Sequence, residues 1–305
     1  MLNFIKINKR IKRLREEKNL TQGELSDMLG IKETTVQGYE RGNNMPDITK
    51  LPLLMEIFDV SLADILGNEP GLGIIQSFID NDFANYQSEH GVTPGELAAI
   101  APILKPDQVE MVLNSLQTPL TKEELAMTAP FIKMERIDNM SEELYEKGGL
   151  NSLVSIAPYI SEEIIDECAK LEFERSGLKG LTSMAPFISD EVIDELAKLE
   201  FEKSGLSSLT SMAPFISDDV IDECAKLEFE KSGLSSLTSM APFISDDVIN
   251  ECALKSYELH GTKELASMAP FVAGDILNQI AHKAVKDYGA GSLRSIAPFI
   301  DEHGN

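Results

Sequence analysis

Apolar residues recur at intervals of three and four along most of the chain, which is the spacing of helices that bury one face. No segment shows the strict alternation of a half-buried strand. The pattern therefore predicts an all-α protein. It also divides the chain in two, because residues 1–67 contain no repeat while most of the remainder is built from one recurring unit.

The recurring unit is 28 residues long. The dipeptide Ala-Pro marks it at eight positions with unbroken spacing, from Ala101-Pro102 to Ala297-Pro298. Such a period predicts a stacked array in which each unit packs against its neighbours. The segment 74–89 is expected to form a capping helix before the first copy.

Each unit is expected to form a helical hairpin. In one copy, apolar residues at helical spacing predict a short first helix over 206–216, which the ring of Pro214 should end. Ser217 has the character of an N-cap for the second helix, and Gly233 suits its end. The apolar face expected for this second helix consists of Val220, Ile221, Cys224, Ala225, Leu227 and Phe229. The repeats therefore predict an α-solenoid.

The charge is distributed unevenly between the two parts. The chain carries 27 Lys and Arg against 51 Asp and Glu, a net charge of −24, yet residues 1–67 hold 10 of each sign. Seven of these basic residues fall between Lys6 and Lys18. The acidic repeats are expected to repel nucleic acid, whereas the short basic segment can bind it.

Residues 1–67 are expected to form five helices. A basic helix at about 6–18 precedes a capping box, Thr21 to Glu24, which should begin a second helix. Gly30 permits a tight turn before a third helix from about Glu33 to Arg41. A fourth helix is expected to begin at Pro46-Asp47 and a short fifth to cover 61–66.

The segment TQGELSDMLGIKETTVQGYERGNNMPDITKLPLLMEIFDVSLADIL resembles the helix-turn-helix domain of the Xre/Cro family of phage and bacterial repressors. The shared pattern is TQ-x-E-L-x-x-x-L-G-I, then T-V-x-x-Y-E-R-G, a proline, and L-x-x-x-F-x-V-S-L-x-x-I-L. The resemblance covers about a fifth of the chain and does not extend to the repeats. It implies that the third helix lies in the major groove of double-stranded DNA.

The resemblance also implies roles for individual residues. The base-edge candidates are Lys32, Glu33, Thr34 and Gln37. The phosphate candidates are Gln22, Thr35, Arg41, Asn43 and Asn44. Arg15 and Glu40 resemble a buried ion pair of the family, which makes them structural. Gly38 departs from the pattern, because the family often carries a polar or basic side chain there.

These features predict a sequence-specific transcriptional regulator with a DNA-binding domain (1–67), a linker (68–73) and a repeat domain (74–305). The repeat domain is expected to dimerise or to sense a peptide or protein effector. The last copy holds only the first half of the unit, and we expect an open apolar end there for a partner or a second copy. The alternative is an interaction scaffold in which the first domain only localises the protein.

The recurring acidic residues leave three interpretations open. Asp218 and Asp219 are placed to cap a helix start, and this interpretation is favoured. An acidic groove for a basic partner comes second, and calcium binding third, because no Asp-x-Asp-x-Asp-Gly loop occurs.

The sequence offers no sign of cofactor, metal or catalytic chemistry. Cys168, Cys224 and Cys252 share one phase of the repeat, and equivalent positions about 10 Å apart exceed disulfide reach. The histidines are not spaced for zinc; they are His90, His260, His282 and His303. Without a membrane span or an apolar signal segment, the chain is expected to be a cytoplasmic non-enzyme.

Overall fold

The structure is a computed structural model that describes residues 4–300, with side chains from Lys6 onward. Within this range every regular element is an α-helix or a 3₁₀-helix, so the predicted all-α class is confirmed. None of the helices in residues 4–300 combines the length and the apolar character that a bilayer span needs. The end of the last predicted copy, with His303, lies outside the described residues.

The chain divides into two compact units, Met1–Met140 and Ser141–Asn305. The first unit contains α1 (Phe4–Glu17), α2 (Gln22–Leu29), α3 (Glu33–Arg41), α4 (Leu51–Phe58), α5 (Leu62–Leu66), α6 (Leu72–Ile79), α7 (Phe83–His90), α8 (Pro94–Ile100), α9 (Pro106–Ser115), α10 (Lys122–Thr128) and a 3₁₀ turn, Ala129–Phe131. Helix α11 (Met134–Gly148) begins in this unit and ends in the next. The functional boundary expected at 68–73 stays a prediction.

Two elements of the first unit differ from the sequence-based expectation. The fourth helix does not begin at Pro46-Asp47, because the Asp47 side chain accepts a hydrogen bond from the backbone N–H of Thr49 at 2.8 Å and holds a turn there. The single capping helix expected over 74–89 is wrong. Two helices, α6 and α7, occupy this segment, since Asn81 adopts a left-handed φ of 57° between them.

The second unit is a series of repeats, each with an irregular arm followed by a 15-residue α-helix. The helices are α12 (Glu162–Ser176), α13 (Asp190–Ser204), α14 (Asp218–Ser232), α15 (Asp246–His260) and α16 (Gly274–Tyr288). The 3₁₀ turns of the arms are Leu150–Ser152, Ala157–Tyr159, Leu178–Leu181, Ala185–Phe187, Leu206–Leu209, Ala213–Phe215, Leu234–Leu237, Ala241–Phe243, Ala269–Phe271, Ala290–Ser295 and Ala297–Phe299. Neighbouring long helices pack side by side.

The first arm of the hairpin that contains α14 is not the α-helix expected over 206–216. It consists of two 3₁₀ turns, because hydrogen bonds run over three residues: the N–H of Met212 donates to the carbonyl of Leu209, and the N–H of Phe215 donates to the carbonyl of Met212, both at 2.9 Å. Gly233 ends α14 as expected, with a φ of 78° that an L-residue side chain would strain.

A polar clamp joins each long helix to the next. Asp222 in α14 accepts hydrogen bonds from the backbone N–H of Ser245 at 2.9 Å and from its hydroxyl at 2.6 Å. Asp166 makes the same two bonds to Ser189. The aspartate therefore lies in one repeat, and the serine whose N–H it accepts lies at the start of the helix of the following repeat.

The three cysteines occupy the apolar interior of the array. Cys168, Cys224 and Cys252 are buried and free of disulfides. Burial raises the pKa of each thiol to about 11, so they remain protonated at neutral pH. Leu227 departs from the expected buried face, because 42% of it is exposed.

Candidate nucleic-acid interface

The turn between α2 and α3 is fixed by its two ends. At the start of α2, Thr21 and Glu24 form a capping box: the backbone N–H of Thr21 donates to Glu24 Oε2 at 2.8 Å, and the N–H of Glu24 donates to Thr21 Oγ1 at 3.1 Å. The backbone N–H and the hydroxyl of Thr21 both donate to the Glu24 carboxylate, and these two bonds lower its pKa. At the end of α2, Gly30 is left-handed with a φ of 63°, and the chain re-enters a helix at Glu33.

Apolar contacts hold α3 against the rest of the domain. Val36 and Tyr39 are buried on one side of α3, and Leu25 and Leu29 are buried on α2. Lys50 Nζ donates to the carbonyl of Leu29 at 3.0 Å and satisfies one of the last carbonyls of α2. The opposite side of α3 is therefore left facing solvent.

Arg15 on α1 and Glu40 on α3 lie together beneath this surface. Arg15 Nε and Nη2 donate to the two carboxylate oxygens at 2.5 and 3.1 Å, and Gln22 Nε2 donates to Glu40 Oε2 at 2.7 Å. The Glu40 side chain is only 4% exposed. Its burial alone would raise its pKa, but hydrogen bonds from Arg15 and Gln22 outweigh that effect and the pKa is lowered.

Six of the sequence-predicted contact residues are exposed at or after the start of α3. They are Lys32, Glu33, Thr34, Arg41, Asn43 and Asn44. Thr35 and Gln37 are half-buried, and Gln37 Nε2 donates to Glu33 Oε1 at 3.3 Å along one side of the helix. Gln22 lies on α2, and one of its amide hydrogens already binds Glu40 on α3.

The packing around position 38 explains why a glycine stands there, which the sequence alone does not reveal. It is buried, and a Cβ placed on it would lie 2.6 Å from Asn44 Nδ2. Its carbonyl also accepts the backbone N–H groups of Gly42 and Asn43, both at 3.0 Å. A larger residue at position 38 would therefore displace the Asn44 side chain.

The basic residues of α1 are partly engaged within the first unit. Arg10 Nη1 donates to the carbonyl of Leu66 at 2.8 Å, and Arg13 Nε lies 3.6 Å from Glu17 Oε1. Sequence reasoning missed the structural role of Arg10, because no local pattern links residues that far apart. The pair with Glu17 offsets part of the positive charge that α1 presents to solvent, whereas Arg10 keeps its charge.

Comparison with known proteins addresses this same segment. Residues 11–65 match the family described as Helix-turn-helix. The predicted resemblance is therefore confirmed for this part of the chain, and its curated relatives are helix-turn-helix regulators by name. No solved structure matches the chain.

Each of these relatives is similar to a third of the chain or less. The helix-turn-helix transcriptional regulator AnsR of Bacillus subtilis is 37% identical over 60 residues, which are 20% of this chain and 52% of that protein. The uncharacterized regulator YobD of Bacillus subtilis is 29% identical over 102 residues, 32% of this chain and 90% of YobD. The transcriptional activator BcrR of Enterococcus faecalis is 29% identical over 65 residues, 21% of this chain and 32% of BcrR.

Proposed function

We propose that the chain is a sequence-specific DNA-binding transcriptional regulator. Residues 1–67 would bind an operator, and residues 74–305 would mediate dimerisation or respond to a peptide or protein effector. The observation that carries the proposal is the solvent-facing side of α3, held by a capped turn within a segment that matches the helix-turn-helix family. Such a helix fits the major groove with its first residues against base edges.

The side chains suit separate tasks in this complex. Lys32 can donate to guanine acceptors, and Glu33 can accept from the cytosine amino group. Thr34 and Gln37 complete the base-edge set. The candidates for phosphate are Gln22, Thr35, Arg41, Asn43 and Asn44. Arg15 and Glu40 act beneath this surface by holding α1 to α3.

The charge balance favours more than one copy on the DNA. Residues 1–67 carry no net charge, and phosphate neutralisation supplies much of the affinity of DNA-binding proteins. A single copy would bind DNA with modest affinity, and a second copy on the same operator would supply the rest of the affinity. The proposed regulator is not an enzyme and uses no cofactor or metal. Because it acts on DNA, we propose that it works in the cytoplasm.

A gel-shift assay with DNA upstream of the protein's own operon tests this function. We expect the full chain to bind, and the double variant Lys32→Ala, Gln37→Ala to lose about tenfold or more in affinity while it stays folded. The matched control is Glu56→Ala, an exposed residue of α4 that should leave binding unchanged. Absence of binding at about 50 mM salt, where phosphate contacts are strongest, would instead support the scaffold alternative.

A further inference from the structure

Three exposed leucines form a row across the repeat helices. Leu171 on α12, Leu199 on α13 and Leu227 on α14 stand one 28-residue period apart, and their exposed fractions are 49%, 40% and 42%. A single exposed leucine is ordinary on a protein surface. Three at the same position of adjacent, packed helices form a line of apolar side chains, which we call the leucine row.

Ion pairs join the helices beside this row. Lys170 Nζ lies 3.7 Å from Glu195 Oε2, and Lys198 Nζ lies 2.7 Å from Glu223 Oε2. Each of these lysines directly precedes a leucine of the row, so the pairs hold the outer faces of α12, α13 and α14 side by side. With helix axes about 10 Å apart, the leucine row is about 20 Å long.

The leucine row has a charged residue at each end. The equivalent position on α11 is Glu143, which pairs with Lys147 at 3.7 Å. On α15 it is Lys255, which pairs with Glu251 at 2.7 Å. The apolar patch therefore spans three helices and ends abruptly.

A second row, of carboxylates, runs along the same surface. Glu174, Glu202 and Glu230 follow the three leucines by three residues, and side chains at this spacing share a helix face. All three are exposed, and the ion pairs found among residues 4–300 include none of them. Lys203 and Lys231, their neighbours in the chain, lie over phenylalanine rings at 4.7 and 4.9 Å. The surface is thus apolar along one line, with exposed carboxylates beside it and, one position further along each helix, the cations Arg175, Lys203 and Lys231 held over aromatic rings.

We infer that the leucine row and its carboxylates bind a basic amphipathic helix of a partner protein. The inference rests on the proposed partner-sensing role of the repeats and names the surface and the chemistry of the partner. An α-helix rises 1.5 Å per residue, so apolar side chains about seven residues apart match the row. Lysine or arginine beside them would meet Glu174, Glu202 and Glu230.

A second copy of the chain fits this surface less well. Two such faces in contact with their long helices parallel would place one row of carboxylates against another, which is unfavourable. Helix α1 of a second copy is basic, but its fully exposed described positions are charged: Lys6, Lys9, Lys12, Arg13, Glu16 and Glu17. Helix α1 offers no exposed apolar side chains to cover the leucines. The charge and the apolar pattern of the surface therefore both favour a different protein as the partner.

Fluorescence anisotropy with the full chain and a labelled synthetic peptide tests the inference. The probe is a helical peptide of about 18 residues with leucines seven apart, flanked by lysines. One variant carries Leu171→Ser, Leu199→Ser and Leu227→Ser, and another carries Glu174→Gln, Glu202→Gln and Glu230→Gln. The matched control, Glu162→Gln, Asp190→Asn and Asp218→Asn, removes three exposed charges from the first turn of the same helices.

We expect each of the two test variants to lose about tenfold or more in affinity and the control to change less than about twofold. A peptide with glutamates in place of lysines should not bind. The inference is overturned if the wild type fails to saturate at about 100 μM peptide, or if the control loses as much as the test variants. It is also overturned if the wild type dimerises and the leucine variant is monomeric in sedimentation experiments.

The assay is independent of DNA binding. Gel shifts are measured on the same preparations without peptide. Absence of peptide binding by the wild type, with its DNA binding intact, contradicts only the leucine-row inference. Absence of DNA binding with peptide binding intact contradicts the regulator proposal and leaves the surface assignment standing.

Discussion

Arg15 and Glu40 lie 25 residues apart in the chain and meet in a two-pronged ion pair, with Arg15 Nε 2.5 Å and Nη2 3.1 Å from the two carboxylate oxygens. A third bond from Arg15 Nη1 reaches the carbonyl of Leu20 at 2.7 Å. The pair joins α1 to α3 and closes over the loop before α2. It fixes the helix that we propose to enter DNA.

Replacing Arg15 with alanine is expected to unfold or strongly destabilise the first unit. Glu40 would keep a buried charge without its main partner, a loss of about 3–5 kcal/mol in the free energy of unfolding. Gln37→Ala, on the solvent side of α3, should change the free energy of unfolding by less than about 0.5 kcal/mol. Urea unfolding of both variants followed by circular dichroism measures the difference. Equal stability of Arg15→Ala and wild type would contradict the structural role.

The same pair predicts how stability depends on pH. The folded pKa of Glu40 lies below its ordinary value of 4.5, so the folded state favours the ionised carboxylate. The stabilisation is complete above that ordinary value and is lost as the pH falls through the folded pKa. Glu40→Gln should therefore be less stable than wild type at pH 7, with the difference shrinking in acid. Unfolding midpoints measured from pH 7 to about pH 3 follow this change, and a constant difference would argue against it.

Two glycines of the first unit provide a matched pair of substitutions. Gly30 has a φ of 63°, and no atom lies within 4 Å of the place that a Cβ would occupy, so Gly30→Ala should cost about 1 kcal/mol from backbone strain alone. Gly42 has a φ of 82°, and a Cβ there would lie 2.1 Å from Nδ2 of the buried Asn8. Gly42→Ala should therefore be the more damaging change in thermal unfolding. The reverse order would show that Asn8 can move away freely.

The clamp between Asp222 and Ser245 predicts a graded pair of variants. Asp222→Ala removes both acceptors and should cost about 1–2 kcal/mol at that junction. Asp222→Asn should cost less, because Asn250 already accepts the backbone N–H of Ala273 at 2.9 Å in the equivalent place. Hydrogen exchange of the Ser245 amide reports the local effect. Glu230→Gln, on the exposed side of the same helix, is the control and should leave that amide unchanged.

Much of the fold could be predicted because its determinants are local. The capping box of Thr21 and Glu24, the left-handed Gly30 and the apolar pattern of α3 lie within a few residues of one another, and α3 runs over Glu33–Arg41 as expected. The repeat was visible because copies of one unit carry the same signal. The sequence does not distinguish a 3₁₀-helix from an α-helix within the arms, since apolar residues three apart suit a 3₁₀ turn as well as an α-helix.

Non-local contacts account for most of what sequence reasoning missed. Nothing near Arg10 indicates that it reaches the carbonyl of Leu66, and nothing near Gly38 indicates that Asn44 covers it. The sequence predicts that Leu227 is buried because leucine is apolar, but its position on α14 leaves it exposed to solvent. The DNA contacts themselves stay predictions, because they depend on a partner that the sequence does not contain.

The clamp between consecutive long helices bears on how this chain can change in evolution. From α12 to α15, a side chain of each long helix accepts a hydrogen bond from the backbone N–H that begins the next unit's helix. Inserting or deleting a whole 28-residue copy therefore leaves no junction incomplete. A gene of this kind can gain or lose copies by recombination between its near-identical segments and still encode a folded protein.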